Sequence, residues 1–546
     1  MISRVPPTLR REDVAESITQ GKYLFIHRSR VINATAWAPY HPGGALAILH
    51  FVGRDATDEV EAYHSVEALQ RMEKYVVGMV DIDEEEGWKP LTPPIALGLV
   101  RHPDGVKGHW AREGSVRLAE GKRDPFACSN TDSRPGPEII TLSPGDLEPP
   151  SSDLDLRKER ARSKAYHELK TRITEAGLFN RPGPLSGYGS DILRYALLGS
   201  AAFALYFLTT SWLGQMASAT CLGLFFHQLT FFAHDAGHTG VTGNWWWDRV
   251  LGMLVADWIG GLSLGWWCDV SDYLRWCFNA DVPESQHPSS CVSYHRAWLT
   301  AVVTNHPEHD PDIQHIPFFA ISKDFFGSLW STYYKRVMAF DGFSKRMVAL
   351  QHKLYYVVLS LARFNLYANS YAYLLGPKPR HDAFWRFELA GVAFYWFYFG
   401  AMLRGLPSWK LRIAYLLISH IVSSPVHVQI VLSHFACSTE DLGPTESFPS
   451  RQLRTTMDVV CSPDVEFIHG GLHLQVTHHL FPRLPRHNLR KASLLVKDYC
   501  KEHDIVYREH GFVEGNQHVL AVLADVANQI QFIKTVADAE IDEKIK

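Results

Sequence analysis

The sequence predicts three parts in series: a small α+β module at the N-terminus, a disordered linker, and an all-α membrane domain with about four transmembrane helices and a histidine-rich cap. Three observations carry this. Residues 8–82 mix charges with short apolar runs. Residues 83–150 are rich in Pro, Gly and Ser and show little periodicity, as disordered segments do. From Tyr195 to Ala233, 39 residues pass without a formal charge, where one membrane crossing needs about 20. The mean hydropathy of −0.12 hides this stretch because it averages a polar half with an apolar one.

A chain of 546 residues can hold more than one domain. A net charge of −4 and a pI near 6.7 give no reason to expect nucleic acid as a partner. The eight cysteines show no CxxC pairing, so neither a disulfide framework nor a zinc ribbon is indicated. "MISRVPPTLRRED" has no apolar core and does not read as a secretory signal peptide; a cytosolic N-terminus is the simple expectation.

After the linker, 153–178 reads as an amphipathic helix with a charged face, opening a domain that runs over 153–546. A first membrane pair is expected at about 192–212 and 216–233, turning near "TSWLGQ". A polar stretch with aromatic patches follows. Within it, 349–375 is apolar but interrupted by Lys, Arg and Asn, which suits a helix in the membrane interface. A second pair is expected at about 387–404 and 412–433, across the break "RGLPSWKLR". Stretches this long without charge are costly to keep in water.

Two histidines stand out in the first module: His41 in "YHPGGALAIL" and His64 in "DEVEAYHS". A six-coordinate haem iron needs two imidazoles facing each other across the porphyrin, and two helix-loop arms carrying one histidine each could supply them. The glycines after His41 let backbone approach a flat ligand. With its flanks "RSRVINATAWAPYHPGG" and "FVGRDATDEVEAYHS", and on to "YVVGMV", this stretch resembles cytochrome b5. The resemblance implies that His41 and His64 are the axial ligands of haem b, and that the module carries one electron at a time.

Further histidines cluster at the ends of the apolar segments. "FFAHDAGHTG" puts His234 and His238 four apart, on one helical face, so both can reach one metal at the membrane surface; Asp235 could orient one of them. "LHLQVTHHLFPRLPRHNL" offers Gln475, His478 and His479. Neighbouring residues on a helix diverge by about 100°, so these two histidines suit two metals better than one. Imidazole-rich ligation without thiolate suits iron, copper or zinc.

Here the chain resembles the membrane fatty-acyl desaturases and hydroxylases, and more narrowly the front-end desaturases, which have a fused cytochrome b5 and a last box that begins with Gln, as "QVTHH" does. "GLSLGWW", "TNHPEHDPDIQHIPFFA", "STEDLGPTESFPSRQLRTTMDV", "FIHGGL" and "HHLFPRLPRHNLRKAS" resemble the fungal sphingolipid Δ8-desaturases. The resemblance implies a di-iron centre held by His234, His238, His478 and His479. His434, in "VLSHFA", is a further candidate, and the role of Gln475 stays open. It also implies O2-dependent desaturation of a ceramide long-chain base at Δ8. Electrons would come from NADH-cytochrome b5 reductase or a similar donor, through the fused haem, at the endoplasmic reticulum with the termini and histidine boxes in the cytosol. A front-end fatty-acyl desaturase or a hydroxylase is the alternative.

The family's middle box, HxxHH, is missing. It belongs between "GWW", ending at Trp267, and "VVTN", beginning at Val302; the 34 residues between, 268–301, contain no such string. Three readings follow. His287, His295, His306 or His309 could replace the missing ligands. The protein could be altered, a membrane haem protein with impaired catalysis. Or the segment could be translated non-coding sequence, which its sharp edges between matching flanks favour.

Overall fold

The computed structural model describes residues 6–41, 44–101, 110–112, 139–268, 303–376 and 381–545. Two compact units emerge, one comprising Met1–Glu168, Asp272–Val303 and Glu440–Arg451, the other Leu169–Ser271, Thr304–Thr439 and Gln452–Lys546.

The first unit is α+β. Helix Arg11–Thr19 buries Val14, Ala15 and Ile18. Strands Leu24–His27 and Arg30–Asn33 form an antiparallel hairpin. Its two-residue turn has positive φ at both Arg28 and Ser29, the handedness that matches strand twist. Val76–Met79 adds antiparallel to the second strand. Helices Gly44–Leu49 and Thr57–Tyr63 carry the two histidine arms, and Ser65 caps helix Val66–Met72 by accepting from the Ala68 amide.

Part of the expected linker packs on this module. Trp110 is fully buried and its indole donates to the Ile18 and Thr19 carbonyls at 3.1 and 3.2 Å. Trp88 donates to the Gly53 carbonyl at 2.9 Å. Leu99–Arg101, Trp110–Arg112 and Ile139–Ile140 form a small antiparallel sheet. The stretch is closed where the Thr92 amide donates to the Leu147 carbonyl at 2.7 Å and Arg11 pairs with Glu148 at 2.6 Å. One buried tryptophan contributes about 4–6 kcal/mol of gross apolar transfer. That is enough to order short segments whose average composition reads as disordered. Residues 102–109 and 113–138 lie outside the described residues.

Two segments that sequence pattern groups with the membrane domain also belong to this unit. From helix Leu156–Glu175, Ser163 and His167 reach Asp58 at 2.9 and 2.8 Å. From Glu440–Arg451, Phe448 packs edge-on against Tyr63 and Tyr166, and Ser447 donates to Glu159 at 2.6 Å.

The second unit is mainly helical. Four of its described helical stretches are long and apolar enough to cross a membrane: Ser186–Leu208, Trp212–Gly237, Trp409–Phe435 and Phe512–Val536. The first two contain most of the expected pair at 192–212 and 216–233. The third contains the expected 412–433, divided into Trp409–Ile421 and Pro425–Phe435, a break suited to Pro425 at a helix start. The expected span 387–404 lies in helix Ala383–Gly405, which is not among the four. That helix carries Arg386, Glu388 and Arg404; Glu388 is buried, accepting from Arg249 at 2.8 Å and from Ser263 at 2.6 Å. The interface segment 349–375 divides into Gln351–Ser360 and Ala362–Leu374. Its Tyr367 joins a core with Phe226, Tyr395, Phe399 and Tyr415. At Gly223 a Cβ would lie 2.8 Å from the Ser419 carbonyl oxygen, so glycine lets two apolar helices approach closely.

Candidate haem and metal centres

In the first unit, the His41 and His64 rings lie 5.8 Å apart between centroids. Each is aimed by its own backbone: His41 Nδ1 meets the Gly44 carbonyl at 3.1 Å, and His64 Nδ1 the Val60 carbonyl at 2.8 Å. Donation from Nδ1 to a carbonyl leaves Nε2 as the lone-pair nitrogen. Burial, with His64 adjacent, pushes the His41 imidazole down to about 4, so it is neutral at physiological pH as ligation requires. Two metal–nitrogen bonds of about 2 Å fit between the rings. The pair therefore fits haem.

In the second unit, His234 and His238 stand at the end of helix Trp212–Gly237, and His478 and His479 on the short helix Gln475–Leu480. His478 faces the first pair: its ring lies 5.4 Å from His234 and 5.2 Å from His238, which are 4.6 Å from each other. Donor atoms of all three lie within 4.8 Å of one another. His479 turns the other way, with its ring 5.3 Å from His434. Thus the neighbouring histidines separate into two clusters, as their divergence on a helix predicts. Burial, with His234 nearby, pushes His478 down to about 3; burial, with His434 nearby, holds His479 well below the usual histidine range.

Each cluster is braced, in part by residues that sequence reading does not single out: Arg486, Tyr188, Gln452, Thr304 and Asn305. Asp235, the orienting residue the sequence suggests, approaches His234 Nδ1 at 3.5 Å. It is itself held by Arg486 at 2.8 Å and by the Tyr188 hydroxyl at 2.9 Å, and Arg486 also pairs with Asp191. His479 Nδ1 meets Gln452 Oε1 at 3.1 Å, and Thr304 donates to the same oxygen at 3.0 Å. His434 Nδ1 meets Asn305 Oδ1 at 3.2 Å. Gln475 Nε2 lies 2.9 Å from His479 Nε2, where a metal on His479 would stand. The loop before the box makes its turn at Gly470, whose φ is +56° and where a Cβ would strike the Phe231 ring.

The donor sets fit iron unequally. Three imidazoles satisfy the usual three-ligand requirement of a catalytic metal at His234, His238 and His478. His434 and His479 provide two. Of the substitutes for the middle box, His287 and His295 lie outside the described residues, with 269–302 as a whole. His306 and His309 stack on each other, centroids 4.1 Å apart, with His309 against Thr332 at 3.0 Å. The three-donor group at His234 does not include them.

Comparison with known proteins gives two family matches. Residues 10–81 match the cytochrome b5-like haem/steroid binding domain, and residues 291–511 match the fatty acid desaturase family. A Delta 8-(E)-sphingolipid desaturase of Emericella nidulans is 41% identical, aligned over 96% of this chain and 95% of its own. One of Komagataella phaffii is 39% identical over 95% and 93%. The Delta(8)-fatty-acid desaturase 2 of Arabidopsis thaliana is 27% identical over 95% and 93%.

Proposed function

Because the chain belongs to the cytochrome b5-fused fatty acid desaturases, we propose that it introduces the Δ8 double bond into the long-chain base of a sphingolipid, with ceramide as substrate. The observation that carries this is the separation of His478 and His479 into two imidazole clusters, in a chain aligned nearly end to end with relatives named for that reaction. Family membership makes it a membrane protein that uses haem and non-haem iron, an electron donor, a lipid and O2. A cytochrome b5 reductase as donor, the endoplasmic reticulum as location and cytosolic histidine boxes are parts of the proposal.

His41 and His64 would hold the haem. His234, His238 and His478 would hold one iron, and His434 with His479 would contribute to the second. When bound, haem supplies single electrons and the reduced irons supply the O2-derived oxidant that removes two hydrogens from neighbouring methylenes. The protein's own part is positioning. Arg486 and Tyr188 fix Asp235 beside His234, and Gln452 fixes the His479 ring through Nδ1, the arrangement that sets a ligand's tautomer.

Expression in a host lacking Δ8-unsaturated bases, followed by sphingolipid profiling, tests the reading. A new double bond in long-chain bases supports it; one in fatty acids alone, with unchanged bases, contradicts it.

The missing HxxHH box favours a second reading for the chain as written: a membrane haem protein that binds far less than two irons. The transcript across residues 262–306 separates the two. If it encodes a histidine box in place of 268–301, the segment is non-coding and the desaturase stands; if it encodes all 34 residues in frame, the chain itself lacks the box.

A further inference from the structure

Away from both sites, the C-terminal helix Phe512–Ile545 begins directly after strand Glu509–Gly511. His510 is the middle residue of that strand, and the exposed Glu514 and His518 lie on the first two turns of the helix. Glu514 and His518, four apart, share one helical face, and His510 comes to the same place from the strand. Their ligand atoms lie within 4.8 Å of one another, the two imidazole centroids are 4.5 Å apart, and Glu514 is 3.2 Å from His510 Nδ1. We propose that His510, Glu514 and His518 bind a divalent cation of the zinc class, at a site separate from the histidine boxes.

Two imidazoles and a carboxylate are a zinc donor set that leaves a position for water. Bonds of about 2 Å place ligand atoms about 3–3.5 Å apart, so side-chain rotation alone closes the site. Its backbone is already fixed. His510 is paired with Val459 in the parallel ladder between Glu509–Gly511 and Asp458–Val460, and the next turns are held by buried Asn516, which meets the Tyr356 hydroxyl at 3.3 Å. A solvated His–Glu pair needs no cation; the third donor on the same face is what distinguishes this cluster. The site also has a route to the iron ligands. Asp458, at the start of the paired strand, accepts from the Val476 amide at 2.8 Å, in the helix that carries His478 and His479. The Val459 amide donates to the His473 carbonyl at 2.8 Å. A cation at His510 would brace the strand on which that helix rests.

The test uses the full chain in detergent, loaded with haem and iron, and Zn2+ alone as probe. Metal content per chain is read after equilibrium dialysis, with Co2+ absorption as a second signal for nitrogen and oxygen ligation. The expectation is about one zinc per chain with iron unchanged. Affinity should fall at least about tenfold in the His510→Ala/His518→Ala double variant and in Glu514→Gln, and hold in His503→Ala. All variants should keep their non-haem iron, which reports folding of the unit that carries the site. Zinc uptake within twofold of the parent in both the double variant and Glu514→Gln overturns the proposal. So does zinc that enters only as iron leaves.

Discussion

The His41–His64 pair and the histidine boxes solve the same problem, aiming imidazoles, in opposite ways. His41 and His64 are 23 residues apart, and each is oriented by a backbone carbonyl within four residues of itself. The boxes draw on positions 234, 238, 434, 478 and 479, and their orienting partners, Asn305, Gln452 and Arg486, are side chains brought from elsewhere in the chain. The first design survives as long as a local loop folds. The second depends on several helices holding register together, so its failures should be graded and distributed.

The largest contrast should appear on ligand removal. His41→Ala or His64→Ala should abolish the b5-type absorption spectrum outright while leaving non-haem iron intact, measured on the same preparation. Among the boxes, His478→Ala should lower bound iron more than His479→Ala, because it breaks a three-imidazole cluster and not a pair; equal losses would contradict the unequal donor sets. Next is a buried carboxyl, Glu59, on the helix that leads to His64. Burial, opposed in part by Arg54, pushes Glu59 from its ordinary 4.5 up to about 8. The folded module therefore holds a proton that the unfolded chain releases, and stability falls as pH rises from 4.5 through 8. Glu59→Gln should remove this slope and stabilise the module by about 2–3 kcal/mol at pH 7, seen in haem-monitored unfolding at several pH values. The smallest effect should be at the braces: Gln452→Ala should cost about 10–100-fold in metal affinity or turnover, with Gln452→Glu, which keeps an acceptor for Nδ1, recovering part of it.

This contrast also accounts for what could be read in advance. The haem pair, the i,i+4 face of His234 and His238 and the divergence of His478 from His479 are local periodicities, and a string of residues displays them. Gln452, Thr304 and Asn305 carry no local signal; each is an ordinary polar residue until folding sets it against a ring. Average composition leaves out detail in two places. Helix Ala383–Gly405 is apolar by average and also buries Glu388 against Arg249. The Pro- and Gly-rich stretch after residue 83 counts as structureless, yet two tryptophans order parts of it.

That stretch ends where it begins. Thr92 and Leu147 are hydrogen-bond partners, so the two ends of the stretch are clasped to each other. An insertion, a deletion or a proteolytic nick within 113–138 should leave that clasp in place, where trimming either end would release it.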